Sequence, residues 1–328
     1  MRKLLLPVLV AVAALAAACG GDSDRTGAAA APAGSTADGG PLEVADNTGG
    51  TVTLDGPARR VVVLEWDFAE HLLAVGVAPV GVADVEGYRD WLVSELPADV
   101  TDVGTRQEPN LERIAALDPD LIVGVDFRHH EARDSYEAIA PTLVFRDYPE
   151  PGKGSELELM QVAVRALGRA VGRPDEARAA LDDLDRHLKE AAARVESAGR
   201  AGTKVAVAQG YSSEGKPEIR MFTDNARIME LLSRAGLDNG WEGPAEQYGF
   251  NTVDVEGLTT LPADVAFLYI AQDDDNVFTG TYATNPVWQS LGFVKAGNVH
   301  ALGGDTWTWG GPPSAKVFVD RVVAAVIG

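Results

Sequence analysis

Short apolar runs alternate with amphipathic segments over most of this 328-residue chain. The apolar runs predict strands that are covered on both faces, at residues 61–64, 79–83, 121–123, 142–145, 204–208 and 265–270. Segments with apolar positions three and four residues apart predict helices at 67–76, 110–117, 156–171, 175–197, 224–235 and 313–327. Such an alternation predicts an α/β protein whose sheets are mostly parallel and carry helices on their faces.

Turn and cap residues mark several of these boundaries. Asp67 and Asn110 are N-cap residue types and are expected to begin two of the helices, and Gly76 is expected to end the first. Before the first apolar run, residues 42–54 read as a hairpin with its turn at 47–50. A Pro- and Gly-rich break at 149–154 separates the first half of the pattern from a long helix.

The pattern repeats weakly on either side of that long helix. Residues 110–123 and 254–267 share an N-cap residue, a helix with three apolar positions, a proline, an aspartate and a strand. We therefore expect an N-terminal lobe at 41–154, a connecting helix at 155–172 and a C-terminal lobe at 173–328. A cleft between two such lobes is a common place for a ligand.

The N-terminus has the features of an export signal. A short basic start and an apolar run end in small residues just before Cys19, the single cysteine of the chain. This predicts a signal peptide at 1–18, lipidation of Cys19, and a flexible tether at 19–40 that holds the protein on the outer face of the cell membrane. A plain secretory signal with an incidental cysteine is the alternative.

Composition narrows the possible functions. The net charge of −21 argues against nucleic-acid binding, which needs a basic surface. A single cysteine cannot form an internal disulfide or a thiolate metal cluster. The sequence contains no nucleophile elbow, no P-loop and no dinucleotide fingerprint, so nothing indicates an enzyme or a resident cofactor. A monomer is expected.

One arginine and two tryptophans are the best candidates for ligand contacts. Arg106 lies in the loop 102–109, at the end of an element, although a single loop arginine is most often only a surface residue. Trp307 and Trp309 alternate with threonines between glycine pairs, which predicts an open loop with both rings on one side. Trp66 and Trp288 adjoin apolar positions and are expected in the core.

Two polar clusters invite a metal interpretation, but each is better explained without one. His129 and His130 are adjacent and lack a convincing set of further ligands, so we expect them to be exposed loop residues. The acidic run 273–275 lacks the glycine and the terminal glutamate of a calcium loop, which favours a solvated turn. No metal bound directly by protein ligands is predicted.

Several longer motifs resemble the ferric-hydroxamate (ferrichrome- and ferrioxamine-type) siderophore-binding lipoproteins of ABC importers, within the iron-complex periplasmic binding proteins. The resemblance covers roughly residues 58–328. It rests on Glu65-Trp66 after the first strand, on 70–77 and 81–84, on Val-Gly-Thr-Arg-Gln-Glu-Pro-Asn at 103–110, on Pro-Val-Trp-Gln-Ser-Leu at 286–291 and on 293–297. It implies two Rossmann-like α/β lobes joined by a single long helix.

The resemblance also implies roles for individual residues. Arg106 would contact the iron-coordinating hydroxamate oxygens, so the iron would need no protein ligand. The other residues matched to the family pocket are Trp91, Tyr248, Trp307, Trp309 and, in place of an apolar residue, Arg220. An extra residue near Phe127 leaves one pocket tyrosine of the family without a clear equivalent. Glu256 in a helix at 254–261, and either Asp134 or Glu137, would dock on the permease, which works with its own ATPase.

These observations predict an extracytoplasmic lipoprotein that captures a ferric hydroxamate siderophore for import and catalyses no reaction. A haem or cobalamin binder with the same fold is the first alternative. A secreted siderophore esterase and a structural lipoprotein without a ligand are the others.

Overall fold

A computed structural model of the chain describes residues 40–149 and 153–328. The predicted signal peptide, Cys19 and nearly all of the predicted tether lie outside the described residues. Within the described ranges, no helix is long and apolar enough to cross a bilayer.

The first half of the chain forms a hairpin and a five-stranded parallel sheet. The hairpin pairs β1 (Leu42–Ala45) with β2 (Thr51–Leu54), which confirms the prediction for 42–54. The sheet contains β3 (Val61–Val63), β4 (Gly81–Val82), β5 (Thr101–Asp102), β6 (Leu121–Val125) and β7 (Thr142–Phe145). Their order across this first sheet is β5-β4-β3-β6-β7, and all neighbours are parallel.

Five helices accompany this first sheet. They are α1 (Trp66–Ala74), α2 (Val85–Trp91), α3 (Leu111–Ala116), α4 (Asp126–His129) and α5 (Arg133–Glu137). The cap at Asn110 is confirmed, because its side chain accepts a hydrogen bond from the Arg113 N–H. The prediction that Asp67 caps α1 is wrong, because Glu65 occupies the N-cap position and Asp67 is buried in the first turn.

A second sheet of six strands follows the long helices. It contains β8 (Lys204–Ser213), β9 (Lys216–Phe222), β10 (Asp238–Asn239), β11 (Phe250–Val253), β12 (Ala266–Ile270) and β13 (Val299–Ala301). β8 pairs in parallel with β10 and β12, and β12 with β13. β9 and β11 add an antiparallel edge that the sequence pattern did not predict.

The remaining helices lie between the two sheets in sequence or follow strands of the second. They are α6 (Glu156–Ala170), α7 (Pro174–Ser197), α8 (Arg227–Arg234), α9 (Pro286–Ser290), α10 (Gly292–Lys295) and α11 (Pro312–Ile327). Ser155 and Glu158 form a capping box at the start of α6. The helix predicted at 254–261 is wrong, because this segment forms only a 3₁₀ turn at Gly257–Thr260.

One buried apolar cluster runs from the first sheet to the second. It includes Val61 and Val63 of β3, Val205 and Val207 of β8, and the inward faces of α6, α7, α8 and α11. Separate clusters cover the other face of each sheet. Trp288 belongs to the outer cluster of the second sheet, so its predicted place in the core is confirmed.

The strand order of the first sheet indicates where a site should lie. The connections leave β3 in one direction to β4 and later return on its other side to β6. At such a switch point the loops after the strands diverge and leave a crevice at the carboxyl ends. Glu65 follows β3, and Asp126 follows β6, so both begin segments that border this crevice.

Candidate functional site

A cavity of about 480 Å³ lies beside the carboxyl ends of the first sheet and is shared with the second half of the chain. This volume lies within the usual range for small-molecule sites. The lining residues are mostly aromatic or charged: Glu65, Trp66, Asp67, Arg106, Gln107, Phe127, Arg128, Asp147, Tyr148, Arg220, Tyr248, Phe250, Trp307 and Trp309.

The loop that carries Arg106 is fixed by its own backbone. Gly104 has a φ of +103°, a conformation that favours glycine, and a Cβ there would lie 2.9 Å from the Asn110 nitrogen. The Asn110 N–H donates to the Val103 carbonyl at 2.7 Å, and the Glu108 N–H donates to the Thr105 hydroxyl at 2.9 Å. The loop is therefore a closed turn that delivers Arg106 to a set position.

The Arg106 guanidinium lies over the ring of Trp66, with its central carbon 3.7 Å from the ring centroid. Its Nη1 is 3.3 Å from Oε1 of Glu65, and its Nε is 3.6 Å from the Asp84 carboxylate. Arg128 forms an ion pair with the other oxygen of Glu65. Glu65 thus holds two arginines at the cavity wall.

Burial controls the ionisation of the cavity carboxyls. It raises the pKa of Glu65 to about 7, although Arg106 and Arg128 oppose this change. Burial also raises the pKa of both Asp67 and Asp147. Repulsion from Asp147 and Glu65 raises the pKa of Asp67 further, which favours its protonated form.

Aromatic rings in contact with one another border most of the cavity. Trp66 meets Trp307 edge-on at 4.9 Å between centroids, and Trp307 meets Trp309 at 5.2 Å. Trp309 contacts Phe250 at 6.1 Å. Phe250 in turn stacks on Tyr248. The Tyr248 ring centroid lies 4.9 Å from that of Tyr148 and 6.2 Å from that of Phe127. A ligand here would meet ring faces and edges on several sides.

The structure brings together five of the six ligand-contacting residues predicted from the sequence. Arg106, Arg220, Tyr248, Trp307 and Trp309 line the cavity. The sixth, Trp91, is not among the lining residues but packs edge-on against Trp307, with 5.5 Å between the ring centroids.

The sequence interpretation did not assign several other lining residues to the site. Trp66 was expected only in the core; it is indeed buried, but its ring also forms the surface on which Arg106 stacks. Phe127, Arg128 and Tyr148 lie just after β6 and β7, at the sheet edge where ligand contacts concentrate. That position relative to the predicted strands was the signal that could have identified them.

The expectation that His129 is exposed is wrong. His129 is fully buried, and its Nδ1 accepts a hydrogen bond from the Val125 N–H at 3.0 Å. The ring proton is therefore on Nε2, which donates to the Arg106 carbonyl at 2.9 Å. Burial lowers the pKa of His129 to about 4, so the ring stays neutral at physiological pH. It ties the Arg106 loop to the end of β6, while His130 is exposed as expected.

The predicted docking acids Glu256, Asp134 and Glu137 are all exposed. Glu137 forms an ion pair with Arg133 at 2.7 Å. Within residues 40–149 and 153–328, no group of three or more His, Cys, Asp or Glu residues is arranged to hold a metal ion.

Comparison of the chain with known proteins identifies its family. The model of the periplasmic binding protein family matches residues 61–306, three quarters of the chain. The chain belongs to the periplasmic binding protein family.

Relatives of this binding protein include proteins named for different iron complexes. The Fe(3+)-citrate-binding protein YfmC of Bacillus subtilis is 27% identical, over 79% of this chain and 78% of its own length. The iron(3+)-hydroxamate-binding protein FhuD of Escherichia coli is 30% identical, over 86% of this chain and 90% of its own. The Desferal-bound structure of FhuD from Vibrio cholerae superposes with a TM-score of 0.73 at 25% identity, covering 82% and 98% of the two chains.

The Glu65→Gln variant tests the ionisation of this carboxyl in the binding protein. Because the pKa of Glu65 is raised to about 7 from an ordinary value of 4.5, the folded state binds more protons than the unfolded state between these pH values. The free energy of unfolding of the wild type should therefore fall as pH rises from 5 to 8. That of Glu65→Gln should fall by less over the same range. Urea unfolding at several pH values measures this, with the exposed Glu112→Gln as control. Equal slopes for Glu65→Gln and wild type would contradict the assignment.

The His129→Ala variant tests the anchoring of the Arg106 loop. It leaves the buried Val125 N–H without its acceptor, which should cost about 1–3 kcal/mol of unfolding free energy. Amide hydrogen exchange in the 104–108 loop should also accelerate, because the tie to the Arg106 carbonyl is lost. His130 is the exposed neighbour of His129 and provides the control. The His130→Ala variant should change the free energy of unfolding by less than about 0.5 kcal/mol. Unchanged exchange in the loop would remove His129 from this role.

Proposed function

We propose that this chain is an extracytoplasmic binding protein that captures a ferric hydroxamate siderophore and delivers it to an ABC permease and its ATPase. The observation that supports this most directly is Arg106, which is stacked on Trp66 and faces a cavity lined by aromatic residues. A guanidinium is a rigid fork of donors suited to the negative oxygens of hydroxamates. The aromatic rings suit the apolar arms that surround such a polar centre.

The charges of the cavity favour a ligand with little net charge. Two of the three lining arginines, Arg106 and Arg128, are already paired with Glu65, and Arg106 also with Asp84. A ferric trihydroxamate is neutral at its coordination centre, because three singly charged hydroxamates balance Fe(III). The oxygens of such a complex can accept hydrogen bonds from the remaining N–H groups of these arginines. No unpaired positive charge on the protein is needed to balance the ligand.

A ferric citrate-type complex is the second candidate, and Arg220 is the observation that favours it. Arg220 donates to Gln209 at 3.2 Å and lies over the rings of Tyr211 and Phe250. Among the described residues, no carboxylate lies within ion-pair distance of it. Arg220 could therefore receive an anionic ligand group, as the citrate-named relative also suggests.

Haem and esterase functions receive less support from the cavity. Burial raises the pKa of Tyr148 strongly, which disfavours the tyrosinate that a haem iron would need. Among the described residues that line the cavity there is no serine, threonine or cysteine to serve as a nucleophile.

The remaining parts of the proposal concern delivery. Lipidated Cys19 and the tether at 19–40 would hold a monomer at the membrane, with two lobes, 41–154 and 173–328, joined by the helix at 155–172. Exposed Glu256, with Asp134 or Glu137, would contact the permease. Because one apolar cluster spans both sheets, we infer that lobe movements during binding are small.

Fluorescence titration of the tryptophans around the cavity tests the ligand class. Ferrioxamine B or ferrichrome should quench the emission strongly, because Trp66, Trp307 and Trp309 line the site. Haemin and cobalamin should cause no saturable change, and ferric citrate should bind more weakly than the trihydroxamates. Tighter binding of ferric citrate would favour the second candidate, and no response to any iron complex would exclude both.

The Arg106→Ala variant tests the proposed anchor. Loss of charge-assisted hydrogen bonds to the ligand should weaken binding about 10- to 150-fold, which corresponds to about 1.5–3 kcal/mol. Arg113→Ala is a matched control on the neighbouring helix, since its ion pair with Asp102 is solvent-exposed and should not affect the ligand. Unchanged affinity in Arg106→Ala would remove this residue from the site.

A further inference from the structure

The segment that carries Trp307 and Trp309 ends at Gly311, directly before α11. A buried carboxylate from α1 holds this end: Oε2 of Glu70 accepts a hydrogen bond from the Gly311 N–H at 2.8 Å. The other oxygen of Glu70 accepts from the Ser94 hydroxyl, and the residue has no exposed surface. Helix α1 is therefore hydrogen-bonded, through Glu70, to the backbone of residues 307–311, which we call the aromatic segment.

A buried arginine from the second half of the chain holds the same segment. Nη1 of Arg227, at the start of α8, donates to the carbonyls of Trp309 at 3.0 Å and Gly310 at 2.8 Å. Arg227 is only 2% exposed, and its own backbone N–H donates to Glu156 of α6 at 3.0 Å. The aromatic segment is thus bonded to side chains from helices of both halves.

The glycine pair allows this arrangement. A Cβ on Gly310 would overlap both the Glu70 carboxylate and the Ser314 side chain. A Cβ on Gly311 would lie 3.3 Å from Cβ of Glu70 and 3.4 Å from Nδ1 of His71. The backbone is pressed against α1 so closely that a side chain at Gly310 would displace one of these partners.

We propose that Glu70 and Arg227 are positioning residues that set the orientation of Trp307 and Trp309 before a ligand arrives. Neither residue is among those that line the cavity, so each acts through the backbone of the aromatic segment. Their burial gives these bonds a low-dielectric setting and makes loss of either partner costly. A preset wall avoids the entropy of ordering two large side chains during binding.

The first test measures the aromatic wall without any ligand. Trp66, Trp91 and Trp309 all have ring centroids within 5.5 Å of Trp307, so near-UV circular dichroism should report their mutual orientation. Glu70→Leu and Arg227→Met should change the indole bands, while Glu70→Gln, which keeps an acceptor, should retain most of the wild-type spectrum. Variants with cooperative unfolding and a lower Tm but unchanged indole bands would show a purely structural role and overturn the proposal.

Gly310→Ala provides a second variant that removes no charged group. Its added methyl group should displace the segment from Glu70 and alter the same bands, although both positioning residues remain. Gly56→Ala is the control, because a Cβ there has nothing within 4 Å. If every Glu70 and Arg227 variant fails to fold, an unchanged spectrum in Gly310→Ala overturns the proposal.

The ligand test rests on the proposed function. Affinity for ferrioxamine B should fall about tenfold or more in Glu70→Leu and in Gly310→Ala, and should largely recover in Glu70→Gln. Unchanged affinity with altered indole bands would overturn the link between wall orientation and binding, although it would leave the positioning of the tryptophans by Glu70 and Arg227 supported. If wild type binds no trihydroxamate, the proposed function fails, and the ligand-free spectra still decide whether Glu70 and Arg227 position the tryptophans.

Discussion

The cavity depends first on one buried carboxylate that two arginines share. Glu65 occupies the N-cap position of α1, two residues beyond the end of the central strand β3, and contacts both Arg106 and Arg128. Removing the Glu65 charge would leave the half-buried Arg128 guanidinium without this carboxylate, while Arg106 would keep only its longer pairing with Asp84. The ion pairs also fix where the guanidiniums can point. Trp66, the next residue along, supplies the flat surface that confines Arg106.

This arrangement makes the site polar at its base and aromatic around it, and the fold explains why. The charged residues of the first half follow β3, β5, β6 and β7, whose carboxyl ends lie along the same edge of one parallel sheet. The aromatic lining residues come from both halves, with Trp66, Phe127 and Tyr148 from the first and Tyr248, Phe250, Trp307 and Trp309 from the second. The first half therefore supplies every lining carboxyl group and two of the three lining arginines, and the second half supplies Arg220 and the remaining rings.

Local signals in the sequence predicted the scaffold well, and long-range contacts explain what they missed. The Arg106 loop and the Asn110 cap depend on neighbouring residues, so their pattern was sufficient. His129 was wrongly expected on the surface, because its burial depends on a backbone carbonyl 23 residues away. The strand β9 was missed because Pro217 weakens the strand signal and the alternation of apolar and polar positions is limited to residues 219–221, so Arg220 had no predicted element.

Long-range contacts also indicate that the cavity is largely preformed. The apolar cluster between the sheets includes faces of six helices, and protein interiors pack too densely to slide without losing contacts. A wide opening of the two halves would also break the ring contacts between Trp66 and Trp307 and between Tyr148 and Tyr248. The rings of Tyr248 and Phe127 are 42% and 40% exposed, so their displacement would break fewer packing contacts than a separation of the two halves. We therefore infer that these two rings, and not the buried cluster, are the parts of the lining that resist movement least.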